Sequence, residues 1–462
     1  MILPARQGRG RVLWRLVTVW ISLLWAPLAF SDFATNKQVG WSASGMVRLR
    51  TEYLKDSFRL VAPEHDHQQF ARSELDLRYR APGWSFQLEV QDSRAWGAKR
   101  LSPVGTDDVN SLEPINLKFS RQWQLRPDTE TSLSVGRMTM DYGSRRLLAR
   151  NNFRNTSNAF QGVHLSHRSV SSQAALFYTL PLQRRPDGFD PQSLRGNEFA
   201  WDKAGSGERF WGMHYDYEYK ALGTVWAGYI FGSELSDGPD RPVADRDLTT
   251  AGSRLTWQGA RMDLEAEAAY QWGESLSGAL SAPTPLLDHR AWFAHAHAGV
   301  DLGPVVNLRL SYDHATGDRD PFDGRNERFD RLYGARAFDL GPSGIFGAAV
   351  RSNLRSPGVR VLWKPTDQHT WLLSHRWLVL DSPRDFFVTG ARRDISGDSG
   401  RDLGRQWELR WRWNPGSAAF TVDVGGAYLD KGDYFKGAST ALLNPPSRQD
   451  TQYVFTQLTW QY

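Results

Sequence analysis

The segment GRMTMDYGSRRLLARNNFRNTSNAFQGV, Gly136 to Val163, carries five arginines, Arg137, Arg145, Arg146, Arg150 and Arg154, against one acid, Asp141. A guanidinium is a rigid, planar fork of donors that pairs bidentately with a carboxylate or phosphate. Such a surplus, with a single local acid to offset it, points to anion binding. Three other groupings could carry chemistry. Asp318, Asp320 and Asp323 precede Gly324. An EF-hand has acids at positions 1, 3 and 5, whereas these stand at 1, 3 and 6, so they make only a weak Ca²⁺ candidate. Pairing with Arg319, Arg325 and Arg328 is the better expectation. His295 and His297 share a strand face, but no third ligand stands near them in the sequence. His164, Ser166 and His167 show no triad logic, and no Ser, His and Asp or Asn set has a spacing that commits to catalysis. No catalytic residue, metal or cofactor is therefore assigned, and Gly205 to Gly207 reads as a loop rather than a phosphate cradle.

The elements that must position these residues alternate with period two. In MVRLRTEY, Val47, Leu49 and Tyr53 share one face, and Arg48, Arg50 and Glu52 the other. In SELDLRYR, Leu75, Leu77 and Tyr79 oppose Glu74, Asp76, Arg78 and Arg80. In QWELRWRW, four apolar positions ending at Trp413 oppose Gln406, Glu408, Arg410 and Arg412. Strict alternation marks strands with one apolar and one polar face. A Trp-rich face opposite one dense in Arg and Glu fits a membrane barrel with a water-filled lumen better than a soluble sandwich. Twenty Trp, 23 Phe and 15 Tyr in a chain of hydrophilic mean hydropathy agree with this. Cys is absent, so disulfides and thiolate metal sites are excluded.

Residues 1–31 read as a signal peptide. Arg6, Arg9, Arg11 and Arg15 form its basic region, Leu16 to Leu28 its apolar region, and Ala29 and Ser31 supply the small residues before cleavage. Residues 32–462 then form one barrel domain. The whole chain has a formal net charge of +5, of which the leader arginines supply four, so the remainder is almost neutral. With only nine lysines, 47 of the cations are arginines. A nearly neutral secreted chain with a Trp-rich face argues against nucleic-acid binding.

Loops are expected at Glu64 to Gln69, Leu101 to Pro114, Arg184 to Gly207, Asp237 to Asp247, Gly317 to Arg331 and Arg392 to Arg405. Tight turns are expected at Arg80-Ala-Pro-Gly, Leu302-Gly-Pro and Asn414-Pro-Gly. About 430 residues at ~10 per strand allow roughly 16 to 18 strands. Tyr462, Trp460, Leu458 and Val454 share a face of the last strand. This aromatic ending resembles the signal read by the barrel-assembly machinery of bacterial outer membranes. Parity places Arg48, Arg50, Arg78, Arg80, Arg309, Arg410 and Arg412 in the lumen, with Arg351, Arg360 and Arg376 on less regular strands. Pairing with same-face acids, Arg48 with Glu52 or Arg410 with Glu408, is the competing reading.

The chain resembles the alginate export family of outer-membrane proteins in three segments. These are Gly136 to Val163, SYDHATGDRDPFDGRNERFDRLYG (Ser311 to Gly334) and FTVDVGGAYLDKGDYFK (Phe420 to Lys436). The resemblance implies a monomeric, 18-stranded barrel in the outer-membrane lipid, with long extracellular loops and short periplasmic turns. It adds Arg137, Arg150 and Arg154 to the lumen residues. It implies passive export of an anionic polysaccharide such as alginate. An anion-selective porin for small carboxylates, sugars or phosphate, and a barrel hydrolase, are the alternatives.

Overall fold

A computed structural model describes residues 39–185, 190–205, 207–236, 245–276, 286–337, 339–416, 419–437 and 448–462. The leader lies outside them, as do parts of the expected loop at Arg184 to Gly207 and most of the one at Asp237 to Asp247. The alternating segments form eighteen barrel strands. The first six are β1 (Gly40–Lys55), β2 (His65–Ala81), β3 (Trp84–Trp96), β4 (Asn110–Trp123), β5 (Glu130–Met138) and β6 (Phe160–Arg168). Next come β7 (Ser172–Gln183), β8 (Glu208–Tyr219), β9 (Thr224–Leu235), β10 (Arg246–Gln258), β11 (Met262–Ser275) and β12 (Leu287–Asp301). The last six are β13 (Val306–Ala315), β14 (Leu354–Thr366), β15 (His369–Val379), β16 (Asp402–Trp413), β17 (Phe420–Lys431) and β18 (Thr451–Gln461).

Each strand pairs antiparallel with the next, and β1 closes on β18, with Met46 opposite Gln461 and Lys55 opposite Gln452. Closure satisfies every strand edge, which a lipid environment demands. Many outward positions are large and apolar, among them Leu49, Leu75, Leu117, Leu264 and Leu409. Near the periplasmic rim Trp41, Tyr79, Trp84 and Phe119 form a run of ring contacts at 5.2, 5.2 and 5.7 Å, as expected of an interfacial aromatic girdle. Connections of two to six residues lie on that rim, including the three expected tight turns. Longer connections lie on the extracellular rim. The expected loop at Glu64 to Gln69 is instead strand from His65 onward. Its polar run lacks an apolar face, but β1 supplies the partners, from Lys55 opposite His65 to Thr51 opposite Gln69. β16 likewise starts at Asp402, inside the loop expected to end at Arg405.

Two connections, residues 139–159 and 316–353, turn into the barrel. They join each other by backbone hydrogen bonds. The Tyr333 amide donates to Leu147 O (3.0 Å), the Ala149 amide to Tyr333 O (3.2 Å) and the Ala335 amide to Arg145 O (2.9 Å). A Cβ on Gly334 would overlap the Arg146 carbonyl oxygen, so this crossing needs glycine. Beneath the two loops the wall turns apolar. Phe210, Phe293, Tyr453 and Phe455 face inward and pack on Phe160, Phe329 and Phe346. The barrel is therefore partly filled by a crossbar with its own hydrophobic core, and the lumen is not open water throughout.

Candidate functional site

Alternation along β1 sends Arg48 and Arg50 inward, and register sets Arg72 of β2 opposite Arg48. All three are buried. Their guanidiniums reach the backbone carbonyls of loop 139–159. Arg48 donates to Asn152 O (2.6 Å) and Arg154 O (2.7 Å). Arg50 donates to Phe153 O (2.8 Å), and Arg72 to Arg154 O (3.2 Å). Arg50 also meets Glu52 at 3.1 Å, and Arg72 pairs with Glu74. Arg48 has neutral partners, the two carbonyls and Asn155 Oδ1 at 3.3 Å. These charges hold the loop without being cancelled by it. Arg72 was not among the arginines singled out from the sequence, although it lies two residues before Glu74 and so on the same face.

The acid-poor segment finds its acids on distant elements. Arg150 contacts Glu74 and Glu89, each at 2.6 Å. Arg137 pairs with Glu113. Arg154 and Arg184 share Asp107, Arg154 at 2.8 Å. Burial opposes the charge on Asp107, yet these two guanidiniums hold its carboxyl well below the usual range. Arg146 contacts Glu267 (2.7 Å), Asp339 (2.8 Å) and Glu265. It belongs to the segment but was not proposed as a lumen residue.

The other predicted arginines lie as follows. Arg309 meets Asp263 at 2.6 Å and Arg376 meets Asp313 at 3.0 Å. Arg410 and Arg412 share Asp423, each at 2.9 Å, so the expected partner Glu408 is replaced by an acid on the next strand. Arg351 stands three residues before β14, in the inward loop, on Asp339. Arg360 approaches the Asp339 carbonyl at 3.4 Å. Arg78 pairs with Asp76 at 2.6 Å, and Arg80 is exposed at the periplasmic rim.

Loop 139–159 divides the lumen into two cavities. The periplasmic one, about 720 Å³, is lined by Arg48, Arg50, Arg72, Arg150, Arg410 and Arg412 against Glu74, Asp141 and Asp423. The extracellular one, about 510 Å³, is lined by Arg154, Arg184, Arg185, Arg331 and Arg336 against Asp107 and Glu208. Among the described residues both carry a cationic excess of three. Burial, then Arg331 and Arg59, pulls Arg336 down to about 9, the mark of a crowded basic site. Arg150 and Arg154, four residues apart, face the two cavities in turn.

The calcium candidates do not converge. Asp320 and Asp323 accept from the amides of Phe322 (3.2 Å) and Arg325 (2.9 Å) in an exposed turn, while Asp318 is buried. Their expected arginine partners also differ. Arg393 lies 3.5 Å from Asp318, Arg328 bonds Asp385 at 3.0 Å, and Arg319 faces Glu327 at 3.7 Å. Burial, then the Asp385 charge, pushes Asp318 up to about 6. His164 bonds Tyr142 (2.5 Å) and His167 bonds Thr131 (2.9 Å), neither one activating Ser166.

A closed 18-stranded barrel with an aromatic girdle and a divided basic lumen defines an outer-membrane channel. The alginate export family model matches residues 41–444, and the chain belongs to that family. Solved structures from Pseudomonas aeruginosa share the fold. OccK2 (OpdF) is 13% identical, with 92% of this chain and 99% of that one covered and a TM-score of 0.55. OpdK with vanillate is 13% identical, with 91% and 98% covered and a TM-score of 0.55. OccK5 (OpdH) is 12% identical, with 91% and 97% covered and a TM-score of 0.52. No curated protein sequence matches the chain.

Proposed function

We propose that the channel passively exports an anionic polysaccharide or oligosaccharide, alginate-like in carrying a carboxylate on each sugar. The observation that supports this is the pair of basic cavities, one on each side of loop 139–159. A cationic excess concentrates a polyanion at the pore, and several sites already partly engaged with acids let it move on. Arg78 and Arg80 lead into the periplasmic cavity, Arg309, Arg360 and Arg376 line the wall beside the crossbar, and Arg351 stands on the crossbar itself. In this reading the leader of residues 1–31 directs secretion, and the assembly machinery reads the strand ending at Tyr462. The barrel works as a monomer without cofactor or catalytic residue.

The test is planar-bilayer recording of the refolded chain, with oligoguluronate, neutral dextran or vanillate added on the periplasmic side. Anion preference and dose-dependent block by the uronate, but not by dextran, are expected. Absence of both would overturn the reading. Block by vanillate alone would favour a small-carboxylate porin, since the OpdK structure with vanillate shares this fold. Ester or lipid hydrolysis abolished by one Ser or His substitution would replace the channel reading with a hydrolase.

A further inference from the structure

Aromatic side chains line the outer wall near the extracellular ends of the strands. Register carries them from strand to strand, with Trp407 opposite Tyr428, Val454 opposite Tyr53, Tyr53 opposite His67, and Gln69 opposite Trp96. Past β6 the row resumes at Tyr178, which stands opposite Trp211. Between Trp96 and Tyr178 it is interrupted. The outward positions at this end of β4, β5 and β6 include Leu117, Val135 and Arg137, Val163 and Gln161, and none is a ring. Arg137 lies opposite Leu117 and Gln161, both exposed, so it belongs to this outer face and not to the lumen. β5 and β6, nine residues each, are too short to carry the row further up.

The connection from β7 to β8 passes over this gap and is fastened at both sides of it. The Asn197 side chain donates to Ala95 O and accepts from the Ala95 amide, each at 2.8 Å, where β3 runs past the first residue of β4. The Asp202 carboxylate accepts from Asn110 Nδ2 at 2.7 Å, its amide donates to Glu113 Oε2 at 3.1 Å, and its carbonyl accepts from Arg137 at 3.0 Å. Lys203 and Ala204 then pair with Gln183 and Leu182 of β7. Asn197 and Asp202 are buried, whereas Phe199 and Trp201 between them are 49% and 55% exposed, with their rings in edge contact at 4.9 Å. We propose that residues 197–204 form a lipid-contact surface, in which Phe199 and Trp201 sit at the headgroup–acyl boundary of the outer leaflet and complete the aromatic row that β4 to β6 lack. Four strands hold the segment, so the rings are presented by a fixed support and not by a free loop tip. Two adjoining rings left in water are a poor arrangement, and a membrane interface suits an apolar ring with a polar edge. The row is continuous on either side with wall that faces lipid, and this names lipid as the occupant.

The surface lies outside the barrel and its test needs no transported species, so it stands apart from the proposed function. The chain has no cysteine, so a single introduced one takes a nitroxide label at a chosen place. Trp201→Cys and Phe199→Cys are labelled, folded into phospholipid vesicles and checked for heat-modifiable mobility. Collision of the label with oxygen, which concentrates in lipid, is compared with collision with a water-soluble nickel chelate. Tyr178→Cys on the wall sets the lipid end of the scale, and Phe322→Cys, at a side chain 79% exposed in an extracellular turn, sets the water end. Oxygen-to-nickel ratios nearer to that of Tyr178→Cys are expected at both positions, and either variant decides if the other fails to fold. A ratio nearer to that of Phe322→Cys would overturn the proposal. So would nitroxide–nitroxide broadening lost on dilution with unlabelled chain, which would make the face an interface between copies. Loss of nickel collisions only when oligoguluronate is added would also overturn it, making the rings a sugar platform.

Discussion

Replacing Arg48 with methionine tests whether wall guanidiniums hold loop 139–159. The side chain keeps most of its length but loses its bonds to Asn152 O and Arg154 O at 2.6 and 2.7 Å. A hydrogen bond from a charged donor contributes roughly 1.5–3 kcal/mol. Water can reach the periplasmic cavity, so the low end applies, about 1.5 kcal/mol each and ~3 kcal/mol for the two. At ~1.4 kcal/mol per tenfold, the population with the loop released rises by about 150-fold. Arg50 and Arg72 still grip the loop, so the closed form persists and openings become more frequent. The amides of Thr156, Ser157 and Asn158, bonded to Asp107 O, Gln91 Oε1 and Arg150 O, report this directly. Their hydrogen exchange should accelerate by about two orders of magnitude, with matching current flicker in single channels. Arg48→Lys, which can keep one bond, should show only about a tenfold change. Unchanged exchange at these three amides in a folded Arg48→Met barrel would refute the clamp.

Gly334→Val should part the two inward loops, because a side chain there overlaps the Arg146 carbonyl. Larger conductance with unaltered heat-modifiable mobility on gels is expected, and unchanged conductance would count against the crossbar. Arg410→Gln combined with Arg412→Gln cuts the periplasmic cavity's excess from three to one. At roughly 0.7 kcal/mol per charge ~6 Å away in water, uronate block from that side should weaken about tenfold. Arg150→Ala with Arg154→Ala takes a cation from each cavity and should lower anion selectivity while leaving heat-modifiable mobility unchanged. Loss of folding would make the two residues structural. Asp318 binds its proton more tightly folded than unfolded, where its value is ~3.9. Its stabilising contribution is complete below that value and lost as pH rises through about 6. Protection of the Gly317 and Asp318 amides, bonded to Asp381 and Asp385, should therefore fall between about pH 4 and pH 7 beyond the intrinsic rate change. Asp318→Asn should abolish that fall.

The barrel was legible because alternation is local. Trp407 to Trp413 and Leu75 to Tyr79 declare their outer face without reference to any other part of the chain. The same parity set Arg309, Arg410 and Arg412 opposite the apolar face, and in the structure they meet Asp263 and Asp423. It could not supply their partners. Asp423 serves two arginines from the next strand, and Glu113 reaches Arg137 across 24 positions. The joint between the two inward loops was also hidden, because Leu147 meets Tyr333 through backbone bonds that no side-chain pattern encodes. Once loops fill the lumen, inward positions such as Phe293 and Phe455 become apolar, and the simple rule of polar inside and apolar outside fails there.

The seam between β1 and β18 also constrains the order of events in folding. Gly45 and Tyr462 exchange backbone hydrogen bonds at 2.9 and 3.0 Å across more than four hundred positions of chain. A Cβ at Gly45 would collide with the terminal ring. Until that last strand arrives, β1 presents an unpaired edge that hydrocarbon does not tolerate. The nascent sheet must therefore be kept out of the bilayer, or have its open edge capped, for as long as synthesis and secretion take. Joining the first element to the last makes closure of the barrel wait for β18.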